Sequence, residues 1–533
     1  MDRKLYAYMA IPVLLLLALV LLLTAKSVTT KQSAVVQYAV ESAGIKPRAV
    51  VFTDGEVDDQ DSFIRLLMYS DDIDIEGLVI TSSEWHYAGD GKGTRFTSEM
   101  GGLPASYGAR TDLRWPGTQW IYDLLDKYGE VQPNMVKHDT AFPTSALLKS
   151  RVKIGNIKFE GEMAEDTEGS GYVKNLILDT TDKRPLYMLV WGGTNTLARA
   201  LKSIEETCID KPEWESIRKA ISSKVIIYAV LDQDATYRKY VSVSWPDIRV
   251  IYNASQFWAF AYAWPRVTPK EIQTYLGGEW YKNNIKFNHG PLLASYCLWG
   301  DGHHIAGDEE DTFGDTTTLK TNRWGMMDKY DFISEGDSPS YFFLLEPGLR
   351  CLEDYSFGGL GGRFVRSETN PNRWEDGAEV TDFDPFTGKQ EASYPQVRWV
   401  KAIQEDFAAR ADWCVKDFSH ANHAPSVEVK HGLDFNAKPG SRITFRASAK
   451  DPDGDKVNLK WWQYAEAGTY QNKVVLSGQQ GLYDKSGAAY GNKVSLEVPA
   501  DAKPGQTIHV IIEARDDCPV PMSTFRRVII TII

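Results

Sequence analysis

Apolar residues in this chain fall first into short unbroken runs and later into alternation. "AVVFT" (49–53) is a continuous apolar run of strand length. "QDSFIRLLMYS" follows it, with Phe63, Leu66, Leu67 and Ser70 at helical spacing. "IEGLVITS" predicts the next strand. "WIYDLLDKYGEV" predicts a helix with Ile121, Leu124, Leu125 and Tyr128 on one side. "RPLYMLVWGG", "TNTLARALKSIEE" and "KVIIYAV" then read as strand, helix and strand. Unbroken apolar strands alternating with helices predict an α/β body, an open and mostly parallel (Rossmann-like) sheet covered on both faces.

The pattern then loosens. Residues 276–336 and 353–394 are rich in Gly, Asp, Asn and Trp and show little periodicity. Long irregular stretches in a compact domain usually line or cap a site. "GGLGGR" (358–363) is a weak phosphate-loop candidate, because no strand leads into it and no helix clearly follows. "QVRWVKAIQEDFAARADWCV" reads as a closing helix. From Ser426 the rhythm changes to short alternating strands: "SRITFRASAKD", "KVNLKWWQYAE", "NKVSLEVP", "QTIHVIIEARD" and "RRVIITII". That pattern predicts an all-β, immunoglobulin-like sandwich over 426–533, joined to a 46–418 body through a linker at 419–425. In the sandwich, "DPDGD" (451–455) reads as a tight turn, with some likeness to the acidic turns of calcium-stabilised modules. Trp461 and Trp462 are adjacent on one strand, so one faces the core and the other is free to stack on a glycan or to pack under a loop.

The amino end differs again. Arg3 and Lys4 precede an uncharged apolar stretch from Leu5 to Ala25. Its length falls between a secretory signal and a spanning helix. Residues 1–26 are therefore expected to be a cleaved signal or a membrane anchor, with 27–45 as a tether. Either places the remainder outside the cytoplasm, secreted or surface-anchored, with the membrane touched only through this segment. The net charge of −13 argues against a nucleic-acid partner, which calls for a basic face. Five scattered cysteines (Cys208, Cys297, Cys351, Cys414, Cys518) form no C-x-x-C pair, so zinc is unsupported, while one or two disulfides stay open.

Charge matters most in "FTDGEVDDQDS" (52–62), with carboxylates at Asp54, Glu56, Asp58, Asp59 and Asp61 directly after an apolar strand. In open parallel sheets, ligands bind at the carboxyl ends of the strands. Asp58 or Asp59 alone could simply cap a helix. Three carboxylates converging within six residues would repel one another unless a cation sat among them, and oxygen-only donors select Ca²⁺ or Mg²⁺. Spacing alone leaves a metal site and a solvated loop both open. Asp61 and Gln60 are expected in a solvated first helical turn.

"VVFTDGEVDDQDS" resembles the amino-terminal D-x-D-P-G-x-D-D signature of nucleoside hydrolases. It resembles still more closely the nucleoside-hydrolase-like domain of the secreted cellulose-binding proteins. "IRLLMYSDDIDIEGLVITSS", "LVWGGTNTLARAL", "IIYAVLDQDATYRKYV", "FNHGPL" and "GDSPSYFFLL" continue the likeness in order, and "RADWCV…ANHAPSVEV…DPDGDKV" resembles that branch's carboxyl-terminal domain. The resemblance implies a Ca²⁺ cofactor held by Asp54, Asp59, the Trp191 carbonyl and Asp337. It implies Asp54 as the catalytic base toward water, and Asp58 and Asn195 as substrate contacts. Asp232 and Asp234, just past a strand end, are expected to face the same cleft, and His86 and His289 are candidates to assist the leaving group. The expected substrate is a small glycoside or nucleoside, with cellulose or plant-wall polysaccharide as a further partner. The alternative is a polysaccharide-binding protein that keeps the metal site without turnover. The departures are Phe52 for the family's first aspartate, Gly55-Glu56 for its Pro-Gly, and Gly336-Asp337 for its histidine-aspartate pair.

Overall fold

The computed structural model describes residues 46–478, 481–483, 489–490 and 493–533. The expected amino-terminal signal or anchor and its tether lie outside the described residues. Among those described, no helix is long and apolar enough to cross a membrane.

One sheet organises the first part. Its strands are β1 (Arg48–Thr53), β2 (Asp74–Ile80), β3 (Val152–Ile154), β4 (Leu186–Val190), β5 (Val225–Val230), β6 (Arg249–Asn253), β7 (Val365–Arg366) and β8 (Arg373–Glu375). They lie in the order β3-β2-β1-β4-β5-β6-β8-β7. Every neighbouring pair is parallel except β7 with β8. β1, β4 and β5 are buried along their whole length, which is why they read as unbroken apolar runs. Phe52 pairs with Val79 on one side and Val190 on the other, and Val190 pairs with Ala229. The carboxyl ends of four strands therefore stand level, and the residues just after them meet at one edge.

Helix α1 (Val57–Leu67) begins three residues earlier than its apolar spacing suggests, and every residue in it is buried. The expectation of a solvated first turn is wrong. Asp61 is 0% exposed and accepts the Cys297 backbone N–H at 2.8 Å, while Gln60 Nε2 donates to the Gly55 carbonyl at 3.0 Å. Cys297 belongs to the irregular 276–336 stretch, so part of that stretch covers this helix. Further along α1, Arg65 donates through Nε to Glu335 at 2.7 Å and through Nη2 to Gln404 at 2.7 Å, with Phe407 lying 3.8 Å beneath its guanidinium. Both members of the Arg65–Glu335 pair are 0% exposed. Ser338 Oγ adds a 2.6 Å bond to Glu335, and Tyr296 also donates to it.

Helices α2 (Gln119–Met135), α3 (Glu168–Leu178), α4 (Asn195–Cys208), α5 (Trp214–Lys224), α6 (Ser338–Phe342) and α7 (Val400–Trp413) accompany the sheet. A small hairpin, β9 (Asp382–Asp384) with β10 (Lys389–Glu391), follows β8. Two further sheets complete the chain. One has the order β11-β13-β18-β15 and the other β12-β20-β19-β14-β16-β17. Here β11 is Ser426–Val429, β12 Asp434–Ala437, β13 Arg442–Lys450, β14 Val457–Gln463 and β15 Leu476–Gly478. Then come β16 (Gly481–Tyr483), β17 (Ala489–Tyr490), β18 (Lys493–Glu497), β19 (Thr507–Asp516) and β20 (Ser523–Ile532). Phe445 and Val494 from the first sheet pack with Leu459, Trp461 and Val510 from the second into one core.

Trp461 is in that core, stacked on Phe445 at 5.5 Å. Trp462 is turned the other way and is half-buried against protein. It lies 6.0 Å from Trp399 and 5.6 Å from Tyr464, with Arg398 over its face. That occupies the ring considered above for glycan stacking. Polar contacts reinforce the same junction: Tyr464 donates to buried Asp382 at 2.7 Å, and Arg527 donates to the Gly358 carbonyl at 2.7 Å. In "DPDGD", Asp451 accepts the backbone N–H groups of Asp453 and Asp455, the geometry of a tight turn. All five cysteines are free.

Breaking a buried ion pair leaves an uncompensated charge, which costs about 3–5 kcal/mol. Arg65→Met is therefore expected to lower the urea-unfolding free energy by about that amount. Adding Glu335→Leu should recover part of the loss, because no lone charge then remains. Equal instability of the single and double variants would refute this account of the pair.

Candidate functional site

Four of the residues singled out from the sequence meet at the end of β1. Asp54 follows the last strand residue, Asp58 and Asp59 lie in the first turn of α1, and Asp337 precedes α6. Carboxylate oxygens of Asp58, Asp59 and Asp337 all lie within 4.8 Å of one another. The expected metal set is Asp54, Asp59, Asp337 and the Trp191 carbonyl; among the carboxylates, the mutually close set has Asp58 in place of Asp54, with Asp54 alongside. The Asp54 backbone N–H donates to Asp59 Oδ1 at 3.2 Å, and Thr53 Oγ1 donates to the same oxygen. Asp54 itself is 1% exposed, and among the described residues neither of its carboxylate oxygens has a partner within hydrogen-bond distance, His86 standing 3.6 Å away.

Two like charges 4.8 Å apart repel by about 3 kcal/mol at an effective dielectric near 20. Burial pushes Asp58, Asp59 and Asp337 far above the usual carboxylate range, and neighbouring carboxylates push them further: Glu56 and Asp54 act on Asp58, Asp54 and Asp337 on Asp59, and Asp58 and Asp54 on Asp337. The cluster can hold protons, or it can hold a cation. Oxygen-only donors and the two orphaned oxygens of Asp54 fit a hard divalent ion such as Ca²⁺.

Positive charge approaches from one side. His86 is 0% exposed, with Nδ1 3.6 Å from Asp54 and Nε2 3.4 Å from Asp308. Arg114 donates to both Asp308 oxygens at 2.8 Å and lies 3.8 Å from Glu56. Burial and the Arg114 charge work against a protonated His86, yet Asp308 and Asp54 together push it up to about 9. Burial alone would raise Asp54, but the facing His86 outweighs it and holds Asp54 below the usual value. Glu56 accepts from the Tyr262 hydroxyl at 3.1 Å, and burial raises it. The Tyr262 ring is stacked between Phe313 at 5.4 Å and Trp324 at 5.2 Å. Arg114, Asp308 and Tyr262 were not anticipated. Asp308 comes from the irregular stretch, and nothing in the local pattern of the three marks them.

The remaining expected site residues have other work in the structure. The Trp191 carbonyl accepts from the Gln233 side-chain amide, so one of its lone pairs is already used. Asn195 is fully buried and saturated. Its Nδ2 donates to Ser82 Oγ at 2.9 Å and to the Asn156 carbonyl at 3.0 Å, and its Oδ1 accepts from Thr81 and from the Thr196 N–H. It ties together the ends of β2, β3 and β4. Asp234 accepts the Asn195 N–H at 2.8 Å and the Thr236 N–H at 2.9 Å, bracing the same turns; burial and then Asp232 push it up to about 7. Asp232 accepts from the Tyr237 N–H and from Arg238. His289 stands apart from the cluster, 3.4 Å from Asp412 on α7.

Two glycines shape the floor. A Cβ on Gly192 would come within 2.9 Å of Asp54 Cγ, so only glycine lets the turn after β4 lie against that side chain. A Cβ on Gly336 would come within 2.9 Å of Asp58 Oδ2. The Asp58 carboxylate thus lies against Gly336, the residue that departs from the histidine expected through the nucleoside hydrolase resemblance.

Residues 48–364 match the family described as cellulose-binding Sde182, nucleoside hydrolase-like domain. Residues 442–532 match the carboxyl-terminal domain of the cellulose-binding protein Sde0182. A nucleoside hydrolase-related hypothetical protein from Saccharophagus degradans, described as associated with carbohydrate metabolism, aligns over 92% of this chain and 100% of its own, at 24% identity and a TM-score of 0.65. The effector protein XopQ, solved with adenosine diphosphate ribose, aligns over 70% of this chain and 95% of its own at 10% identity and a TM-score of 0.33, too distant to bear on the site. No curated protein matches the chain. With a match spanning more than half of its residues, the chain belongs to the cellulose-binding Sde182 family with its nucleoside hydrolase-like domain.

Proposed function

We propose that this chain is a Ca²⁺-dependent hydrolase of glycosyl bonds, acting on an N-ribosyl or related small glycoside. We place it outside the cytoplasm in association with cellulose or plant-wall polysaccharide, the partner that the family's description suggests. The carrying observation is the trio Asp58, Asp59 and Asp337 within 4.8 Å, beside a buried Asp54 whose oxygens have no hydrogen-bond partner among the described residues. Asp58, Asp59 and Asp337 would hold the ion. When bound, Ca²⁺ would acidify a water and orient sugar hydroxyls. Asp54 would accept the water's proton on a carboxylate oxygen, with His86 fixing its orientation from the opposite side. The remaining negative charge suits the oxocarbenium-like character of glycosyl transfer.

A second reading is a polysaccharide-binding protein that keeps the metal site without turnover. It is favoured by Gly336, which offers no side chain to protonate a leaving group.

Calorimetric titration of the full chain with CaCl₂ is expected to show a site that weakens at least about tenfold in Asp59→Asn and in Asp337→Asn. Affinity should fall as pH falls, because Asp58, Asp59 and Asp337 keep their protons well above the usual range and must release them to bind. Absence of heat, or equal heats in the variants, would sink the cation site.

The chemistry is tested by a panel of nucleosides and wall-derived glycosides. Turnover is expected to vanish with EDTA, return with Ca²⁺, and drop about 10²–10⁴-fold in kcat in Asp54→Asn, the usual worth of a general base. A panel without Ca²⁺-dependent turnover, alongside unimpaired cellulose binding by Asp59→Asn, would leave the binding reading in place.

A further inference from the structure

A second group of titratable side chains lies where the α/β body, the linker and the sandwich meet. His138 follows α2, Lys416 follows α7, His423 is in the linker, and Asp453 is in the turn between β13 and β14. His138 Nδ1 is 2.9 Å from His423 Nε2. His138 Nε2 is 2.8 Å from the Lys416 carbonyl oxygen. His423 Nδ1 is 3.0 and 3.1 Å from the two oxygens of Asp453, whose carboxylate also accepts the His423 backbone N–H at 2.8 Å. Trp413 lies parallel to the His138 ring within 2° at 5.2 Å, and Phe418 covers the His423 ring at 3.8 Å.

Counting hydrogens fixes the charge of the pair. A carbonyl oxygen only accepts, so His138 Nε2 must carry a hydrogen. A carboxylate only accepts, so His423 Nδ1 must carry one too. The ring-to-ring contact needs a third. Two neutral imidazoles supply two hydrogens, so the geometry calls for one extra proton shared across the pair. Flipping either ring would put carbon where a nitrogen now meets its partner. The surroundings suit a single positive charge: Asp453 faces it directly, and the two aromatic faces attract a cation.

We propose that His138 and His423 form a proton-sharing monocation that latches the α/β body to the sandwich through Asp453, and that the latch is pH-sensitive. The other charged neighbours are largely paired. Lys137 binds Asp417 at 2.7 Å, and Lys416 binds Asp412 at 2.8 Å. Asp451 and Asp455 share the turn with Asp453, and Asp516 accepts from Asn422. His420 contacts Ser419.

Linkage gives the sign. Two unfolded histidines bind two protons well below pH 6.5 and none well above it. The native pair holds one. Below about pH 6.5 the unfolded chain binds more protons, so the latch gains stability as pH rises; above it the native chain binds more, so the latch weakens as pH rises. Burial, opposed by the Lys416 carbonyl and aided by the His423 charge, holds His138 below its ordinary value, which agrees with the acid limb.

The test uses the full chain with ¹⁵N-labelled histidine. Imidazole ¹⁵N spectra, assigned with His138→Phe and His423→Phe, should show one imidazolium and one neutral ring in this pair at pH 7. Two neutral rings or two imidazoliums would overturn the proposal. Should either variant fail to fold, Asp453→Asn serves in its place and should discharge the pair. Hydrogen exchange at residues 416–425 and 451–455, corrected for intrinsic rates, should be about tenfold slower at pH 6.5 than at pH 9 in the wild type, the factor that about 1.4 kcal/mol corresponds to. An unchanged ratio in His138→Phe or Asp453→Asn would also overturn it.

Discussion

Arg65 is fully buried, and Glu335 is the carboxylate that answers it. That ion pair sets the geometry of everything above it. Arg65 sits on the helix whose first turn carries Asp58 and Asp59, and Glu335 sits two residues before Asp337. Holding the pair at 2.7 Å therefore fixes how far apart the three clustered carboxylates can be. Left to Coulomb repulsion they would separate. Gln404 on α7 binds the Arg65 guanidinium and the hydroxyls of Ser338 and Tyr296 bind Glu335, so neither charge can leave without orphaning several partners. A pair of this kind adds little net stability against an apolar core, and its plainer use is to specify one arrangement.

Charge at the strand ends is arranged in two tiers. The lower tier is negative and crowded. The upper tier alternates sign, from Asp54 through His86 to Asp308 and Arg114, with Glu56 beside Arg114. Asp54 is thus the one clustered carboxylate held below its usual value, while its neighbours are held above theirs. Groups of one type driven apart by environment are what acid–base chemistry needs. The structure supplies that separation with its own side chains.

Much of this was legible in the sequence, for physical reasons. Strands buried on both faces must be apolar throughout, so β1, β4 and β5 announced themselves. The two short strands β7 and β8 did not, since two or three residues carry no period. Asp54, Asp58, Asp59 and Asp337 were legible through the ordered likeness to nucleoside hydrolases. The bracing bonds of Asn195 and Asp234 were not legible, because a polar side chain that saturates backbone at a strand end looks the same in sequence as one that meets a ligand. Asp61 looked solvated because the segment that covers it is far away in the chain. Arg114, Asp308 and Tyr262 arrive from loops, where no periodicity says which way a side chain points.

Gly336 bears most directly on what chemistry the pocket can support. The Asp58 carboxylate lies 2.9 Å from where a Cβ at position 336 would stand, so any side chain there would require that carboxylate to shift. The hydroxyls beside Asp58 are those of Ser334, 3.3 Å away, and of Tyr262, which reaches Glu56 at 3.1 Å and Asp58 at 3.4 Å. Both bonds are already directed at carboxylates, and Phe313 and Trp324 clamp the ring on its two faces. Such a phenol holds acids in place more readily than it follows a departing group. Under the proposed hydrolysis, a proton for the leaving group would then come from His86, which, against its burial, Asp308 and Asp54 push up to about 9, rather than from position 336.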